Sequence, residues 1–503
     1  MNKGIFTLIL LAVLPLMSYA QMTHECGTVH DESMRERLLL NKKSYAKYLT
    51  PEKTTDVTYV PINFVVMGNS AGTTYAVDEA EVIEMLCALN ESYMDQNIQF
   101  FLADNQISFF ENDAGYSNPG DVNFTLISTT LKGDAINILI GLNATPPNGS
   151  GLGVTLGYYS PQRDWIVIKE SEVNANSGTL PHEMGHYFSL AHPFNGWDCT
   201  SWDPAVHGNP VSLLTAPCSS VPVEFVNGSN CATAGDYLCD TPADYNLGFG
   251  ASGCNYTGNC MDPNGDLLDP WEENIMGYFL NCSAYVFSNE QKALIKSDLD
   301  SRTNLATVTL SDFASPIGTT SLATPTTAEI LPYYTDVLLT WEPVDGANRY
   351  ILEVDINPNF AVTPITLTVW GTSKVLDLLQ NKGYYWRVRP LSNYYFCASP
   401  TANGTFTTGL AVADNSISFV NDWAVAPNPL RGDQALQVQL NTDQAFNATL
   451  ELRHIDGQLI HQQQARFQAG QQSLTIERNL NPGIYLLSLK TEMGVMTKRV
   501  VVN

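Results

Sequence analysis

Leu180-Pro181-His182-Glu183-Met184-Gly185-His186-Tyr187-Phe188-Ser189-Leu190-Ala191-His192 decides how the rest of this 503-residue chain is read. Three of its eight histidines fall in that window. Four residues of α-helix advance the azimuth by about 400°, so His182 and His186 point the same way one turn apart. Two imidazoles so placed can grip one Zn2+ ion at about 2.0–2.1 Å. Glu183 lies off that pair, where a carboxylate reaches a nearby water without ligating the ion. That is the position a general base requires. An unbroken helix would carry His192 about 15 Å along the axis, so the chain must turn back near Ser189 for a third imidazole to join. A left-handed residue suits glycine best, and serine there costs about 1 kcal/mol. A bare H-E-x-x-H also arises by chance on solvated helix faces. The third histidine at this offset in a chain with an export signal favours the metal.

Downstream, Asn274-Ile275-Met276-Gly277-Tyr278 agrees with that reading. A methionine in a tight turn would give the histidines a soft apolar floor, and Tyr278 could offer its phenol to the metal or to an oxyanion. The plain alternative makes Met276 ordinary core and Tyr278 a surface aromatic. Upstream, Tyr59–Met67, Ile98–Leu102, Ile136–Leu142 and Trp165–Ile168 read as strands. Asp78–Gln96 places Val82, Met85, Leu86 and Leu89 at helical spacing. Strands alternating with helices predict an α/β (α+β) domain over residues 56–310.

Residues 1–20 have the layout of a secretory signal: Lys3, then the apolar run Ile5–Met17, then Ser18-Tyr19-Ala20. Residues 21–55 read as a leader or pro-segment, helix-prone from Met34 to Tyr48. No later stretch is apolar enough for a membrane anchor. Apolar residues make up 44% of the chain and charged residues 15%, which rules out wholesale disorder. Lys and Arg total 25 against 51 Asp and Glu, a net charge of −26. That sign repels phosphate backbones, so no nucleic-acid partner is expected. It suits an extracellular protein or one that binds Ca2+.

Export permits disulfides for the ten cysteines. Cys199, Cys218, Cys231, Cys239, Cys254, Cys260 and Cys282 crowd into one loop-rich region and are the disulfide candidates. Cys26, Cys87 and Cys397 lie apart. Cys26 precedes Gly27 in the leader, where its thiolate could bind zinc in a latent form or pair in a disulfide. Reserving Cys26 leaves an odd number and another free thiol, for which Cys87 is the candidate.

Past residue 310 the texture changes. Ser315–Thr327 reads as a linker. Val337–Trp341, Tyr350–Val354, Ile365–Val369 and Tyr384–Val388 then predict an all-β sandwich over residues 325–412. A second all-β domain is predicted over 423–503, with turns at Asp456-Gly457 and Asn481-Pro482-Gly483.

Taken together, His182–His192 with Met276 and Tyr278 resembles the metzincin clan of zinc endopeptidases. Most catalytic helices of that type carry glycine where this chain has Ser189. A finer resemblance, to the pappalysin family, rests on the His-Tyr-Phe run and on His192-Pro193-Phe194 followed by Cys199. It also rests on Gly235-Asp236-Tyr237-Leu238-Cys239-Asp240-Thr241-Pro242, Cys282 and Phe287-Ser288-Asn289-Glu290-Gln291. The resemblance implies a secreted endopeptidase acting on protein or peptide substrates, with Glu183 as general base and Tyr278 at the oxyanion. It implies structural Ca2+ at Asp236, Asp240 and Thr241, although an Asp-rich turn equally serves as a helix cap. It also implies zymogen latency, Cys199 bonded into 254–260, and that loop reaching Cys282. The rival reading is a cell-surface adhesin that keeps zinc as a structural element. Zinc amidases use a similar ion, but the third histidine and the methionine turn fit endopeptidases better. Phe279-Leu280-Asn281 carries no acid, so no preference for basic residues is assigned.

Leu339-Thr340-Trp341-Glu342-Pro343 and Tyr384-Tyr385-Trp386-Arg387-Val388 are similar to fibronectin type III domains, read here as a spacer. Val425-Ala426-Pro427-Asn428-Pro429, Pro482-Gly483-Ile484-Tyr485 and Thr497-Lys498-Arg499-Val500 resemble the sorting domain of the type IX secretion system. That resemblance implies passage through the periplasm, an outer-membrane secretion machinery as partner, and a secreted or cell-surface destination.

Overall fold

The computed structural model describes residues 24–49, 56–147, 154–251, 253–361, 364–409, 417, 419–431, 434–455, 457–491 and 494–503. The signal segment 1–20 and Asp456 lie outside these residues. The chain divides into two compact units.

In the first unit (1–50, 144–161 and 182–301), the leader is folded. Strand β1 (His24–Cys26) pairs in parallel with a later strand, Val154–Ser160. Helix α1 (Glu32–Lys42) starts at Asp31, whose carboxylate accepts the Met34 N–H, and it buries Met34 and Leu38. Arg37 forks onto both oxygens of the buried Asp298 at 2.7 Å, and Asn41 donates to the same carboxylate. Asp298 lies on the helix Asn289–Ser301. The histidine helix runs from Thr179 to Tyr187 and stops where Ser189 takes a φ of 66°. The turn expected at Ser189 is therefore present, with the Leu190 N–H returning to the Gly185 carbonyl and the Asn41 amide donating to the Ser189 hydroxyl.

In the second unit (51–143, 162–181 and 302–503), strands Val57–Gly68, Ile98–Leu102, Ile136–Gly141 and Trp165–Lys169 pair in parallel. Ile136–Gly141 is buried along its whole length, the near-continuous apolar run expected of an interior parallel strand. Helix α2 (Glu79–Tyr93) is closed at its start by a capping box between Asp78 and Glu81. The strands Ser108–Glu111 and, in the first unit, Val154–Ser160 escaped sequence reading.

The predicted sandwich is present as a five-stranded and a three-stranded sheet. Trp341, Tyr350, Leu352, Trp386, Val388 and Phe406 share its core. Its first strand is Leu322–Thr324, paired with Val337–Trp341. The expected linker Ser315–Thr327 and the boundary at 325 are thus corrected: a backbone ladder captures residues whose composition reads as loop. The last domain packs a three-stranded sheet and a four-stranded sheet around Trp423, Leu450, Leu487 and Val500.

The disulfides join Cys87 to Cys397, Cys199 to Cys218, Cys231 to Cys239, and Cys254 to Cys282. Cys254–Cys282 agrees with expectation. Cys199 turns to Cys218 and not to 254–260. Cys260 is a free thiol buried among Phe194, Trp197 and Tyr245, so its candidacy as a disulfide partner fails. Cys87 is bonded, against the expectation that it is free. Among the described residues no helix is long and apolar enough to cross a membrane.

Candidate functional site

One turn of helix presents His182 and His186, and the Ser189 turn swings His192 back to them. Nε2 of His192 lies 3.2 Å from that of His182 and 3.1 Å from that of His186. The opposite ring nitrogens are all committed. Nδ1 of His182 donates to the Ile275 carbonyl at 2.8 Å, that of His186 to the Leu190 carbonyl at 2.9 Å, and that of His192 to the Asp198 carboxylate at 2.6 Å. Each partner is acceptor-only, so each Nδ1 carries the proton and each Nε2 keeps a lone pair. Burial holds all three rings neutral, lowering His182 to about 4 and the other two well below their ordinary value. Three buried lone pairs thus face one point with no proton between them, an arrangement that fits a cation.

Cys26 completes the cluster. Its Sγ and the three imidazole nitrogens all lie within 4.8 Å of one another. The thiol is free, and the Thr28 N–H donates to it at 3.3 Å. The donor set of three imidazoles and one thiolate suits Zn2+ by ligand type.

Glu183 is fully buried beside these groups. The Thr28 hydroxyl donates to its Oε2 at 2.7 Å and accepts the Tyr159 N–H, while Oε1 has no partner. Burial pushes the carboxyl up to about 7, against hydrogen bonds from Thr28 and Cys26 that lower it. The Tyr278 hydroxyl accepts the Cys26 N–H at 3.1 Å, and its ring lies edge-on to His192. Phe194 stacks on His192 at 4.5 Å and also touches the Tyr278 ring, their centroids 4.7 Å apart. Met276 is fully buried in a turn in which the Gly277 N–H donates to the Asn274 carbonyl. A Cβ on Gly185 would meet Met276 Sδ at 2.4 Å, so this turn presses directly on the histidine helix. Every residue predicted for the zinc centre is gathered here. Thr28 and Asp198 were missed: a lone threonine in a polar leader carries no signal, and a carboxylate near a ligand histidine is suggested only once the third histidine is placed.

The residues expected at calcium have different hydrogen-bond partners. Asp236 accepts the Thr241 hydroxyl at 3.0 Å. Asp240 instead faces the Ser288 hydroxyl and the Glu290 N–H, at the start of the helix Asn289–Ser301. Asp240 thus accepts hydrogen bonds from groups at the first turn of that helix. Glu224 feels the charges of Asp236 and Asp244, and Asp236 that of Asp240. Burial, with the Asp236 and Asp244 charges behind it, pushes Glu224 up to about 9. Burial likewise raises Asp236 to about 7 and Asp244 to about 6. Carboxyls with raised folded-state pKa values stabilise fully below their unfolded values and lose that contribution as pH rises through the folded ones. In the presence of a chelator, thermal stability should therefore fall from pH 7 to pH 9, where the three lowered histidines are neutral in both states and no longer oppose the trend, by roughly 5–10 °C for a loss of a few kcal/mol. Glu224→Gln should flatten the upper part of that slope. A Tm that stays level or rises over this range would refute the account.

Residues 424–503 match the family of secretion system C-terminal sorting domains. The chain thus carries the address of the type IX secretion machinery, which indicates export to the cell surface or the medium. No curated protein matches the chain. Among solved structures, the FN1–FN3 domains of chicken CNTN1 are 13% identical over 40% of this chain and 72% of that one, with a TM-score of 0.17. Dimeric latent PorU from Porphyromonas gingivalis is 14% identical over 37% of this chain and 20% of that one, with a TM-score of 0.16. The fibronectin(III)-like modules of Clostridium thermocellum CbhA are 9% identical over 36% and 92%, with a TM-score of 0.15. At these scores the likenesses carry no argument.

Proposed function

We propose that this chain is the latent precursor of an exported zinc-dependent endopeptidase of the pappalysin kind. The observation that carries the reading is the convergence of three neutral imidazole Nε2 atoms beside a buried carboxylate oxygen that has no partner. His182, His186 and His192 would hold Zn2+, with Cys26 as a fourth donor in the latent form. When bound, the ion supplies Lewis acidity toward a peptide carbonyl and a water. Glu183 accepts the proton of the attacking water and delivers it to the departing amine. Tyr278, two residues beyond the methionine, donates its hydroxyl to the oxygen that gathers negative charge. Asp198 fixes the tautomer and tilt of His192. In the precursor, Cys26, Thr28 and the leader backbone occupy these groups. The finer reading of the sandwich as a fibronectin type III-like domain belongs to the same proposal.

One observation favours a second reading. With Cys26 the donor set is closed, as structural zinc sites usually are, and an adhesin would need no more. Metal content and peptide cleavage, measured together on the chain freed of residues 21–55, separate the two. The expected result is one zinc per chain and cleavage that stops with a chelator and returns with Zn2+. Stoichiometric metal without any cleavage of a peptide library would favour the adhesin.

A further inference from the structure

The β-sandwich is not joined to the parallel-sheet domain by the linker alone. The outer face of α2 carries Asp78, Glu79, Glu84 and Cys87, and each meets the sandwich. The Thr366 hydroxyl donates to Asp78 at 2.9 Å, the Thr368 hydroxyl donates to Glu79, and Arg389 pairs with Glu84. Cys87 bonds Cys397 across 310 residues of chain. Beside them Tyr394 lies against Tyr59 at 4.8 Å and against Phe101 at 5.2 Å.

Two features mark this face as permanent. Arg349 is 1% exposed, and burial lowers its guanidinium to about 10 while the charge of Glu79 opposes the shift. Arg389, its side chain only 7% exposed, ion-pairs with Glu84 across the same face, and parting the domains would leave that buried cation without its partner. Helix α2 is also buried well beyond a single stripe, with Ala80, Val82, Ile83, Met85, Leu86 and Leu89 all covered. By contrast, the connection between the domains is sparsely held, with the Ala314 N–H donating to the Tyr59 hydroxyl at 2.6 Å. Residues 311–319 are mostly exposed without regular structure, and a Cβ on Gly318 would meet nothing within 4 Å.

We propose that the sandwich is a permanent, disulfide-clamped companion of the parallel-sheet domain, mated through the acidic face of α2, and that the segment 311–319 is dispensable once the clamp has closed. This holds whatever the metal centre does. A spacer would hang from that segment, whereas this sandwich stays attached when the segment is cut. The clamp needs an oxidant, which the periplasm supplies through its thiol oxidases, each cysteine giving up one proton and one electron as the S–S bond forms. The sandwich would accordingly be docked before the chain leaves the cell.

The test is to insert a specific protease site after Gly318 in the full chain and cut it. The cut protein should elute as one particle at the uncut volume. It should run as one full-mass band in denaturing gels without reductant and as two bands with it. Thiol titration of denatured, unreduced, chelator-treated protein should find two free thiols, Cys26 and Cys260. Four thiols, or two separate particles after cutting, would overturn the clamp. The same chain with Cys87→Ser and Cys397→Ser should give two bands without reductant yet still elute as one particle after cutting. Its separation into two would overturn the mated surface.

Discussion

Glu183→Gln in the processed chain should leave zinc bound and lower kcat/KM for a peptide by about 10²–10⁴-fold, the usual range for loss of a positioned proton acceptor. The amide keeps the shape of the carboxylate but cannot take up a proton. The Thr28 hydroxyl, which donates to Oε2 at 2.7 Å in the precursor, can still donate to an amide oxygen, so the precursor should fold normally. The three imidazoles are each oriented from behind by groups other than Glu183, so metal content should not change. Steady-state cleavage and metal analysis on one preparation decide the matter. Activity within a few-fold of the parent would remove Glu183 from the reaction, and loss of zinc would make it a structural residue.

The second large effect is on latency. Cys26→Ser in the uncut precursor should raise peptide cleavage by at least about tenfold, since a thiolate binds zinc far better than a hydroxyl does. It should still fall short of the processed chain. Thr28 continues to hold Glu183, and the leader remains fastened by Arg37 and Asn41 on Asp298. Adding Thr28→Val removes the hydroxyl that masks the carboxylate and should bring a further increase. A Cys26→Ser precursor as silent as the parent would mean the thiol is a bystander and the leader blocks by bulk alone.

The histidine cluster was legible because its spacing is a local property of helix geometry, and Ser189 announced a turn through the need to recover His192. Strands such as Val57–Gly68 and Val337–Trp341 were legible for the same reason: their apolar pattern lies within a few residues. What failed depends on distant partners. The pairing of Cys199 with Cys218 is set by the fold of a region with little periodic structure, and that of Cys87 with Cys397 by how a helix meets a sandwich. Leu322–Thr324 became a strand because a neighbouring strand was there to receive it. Thr28, buried against Glu183, had no motif to be found by. Asp240 was grouped with Asp236 by the family resemblance, and its hydrogen bonds with Ser288 and Glu290 depend on a helix about fifty residues on.

The contact between Gly185 and Met276 sets how closely the floor fits the histidine helix. The second spacer of H-E-x-x-H is glycine here, and a Cβ on it would meet Met276 Sδ at 2.4 Å. An alanine at 185 would therefore oblige the methionine to move, and the tolerance of the site rests on how freely a thioether can swing.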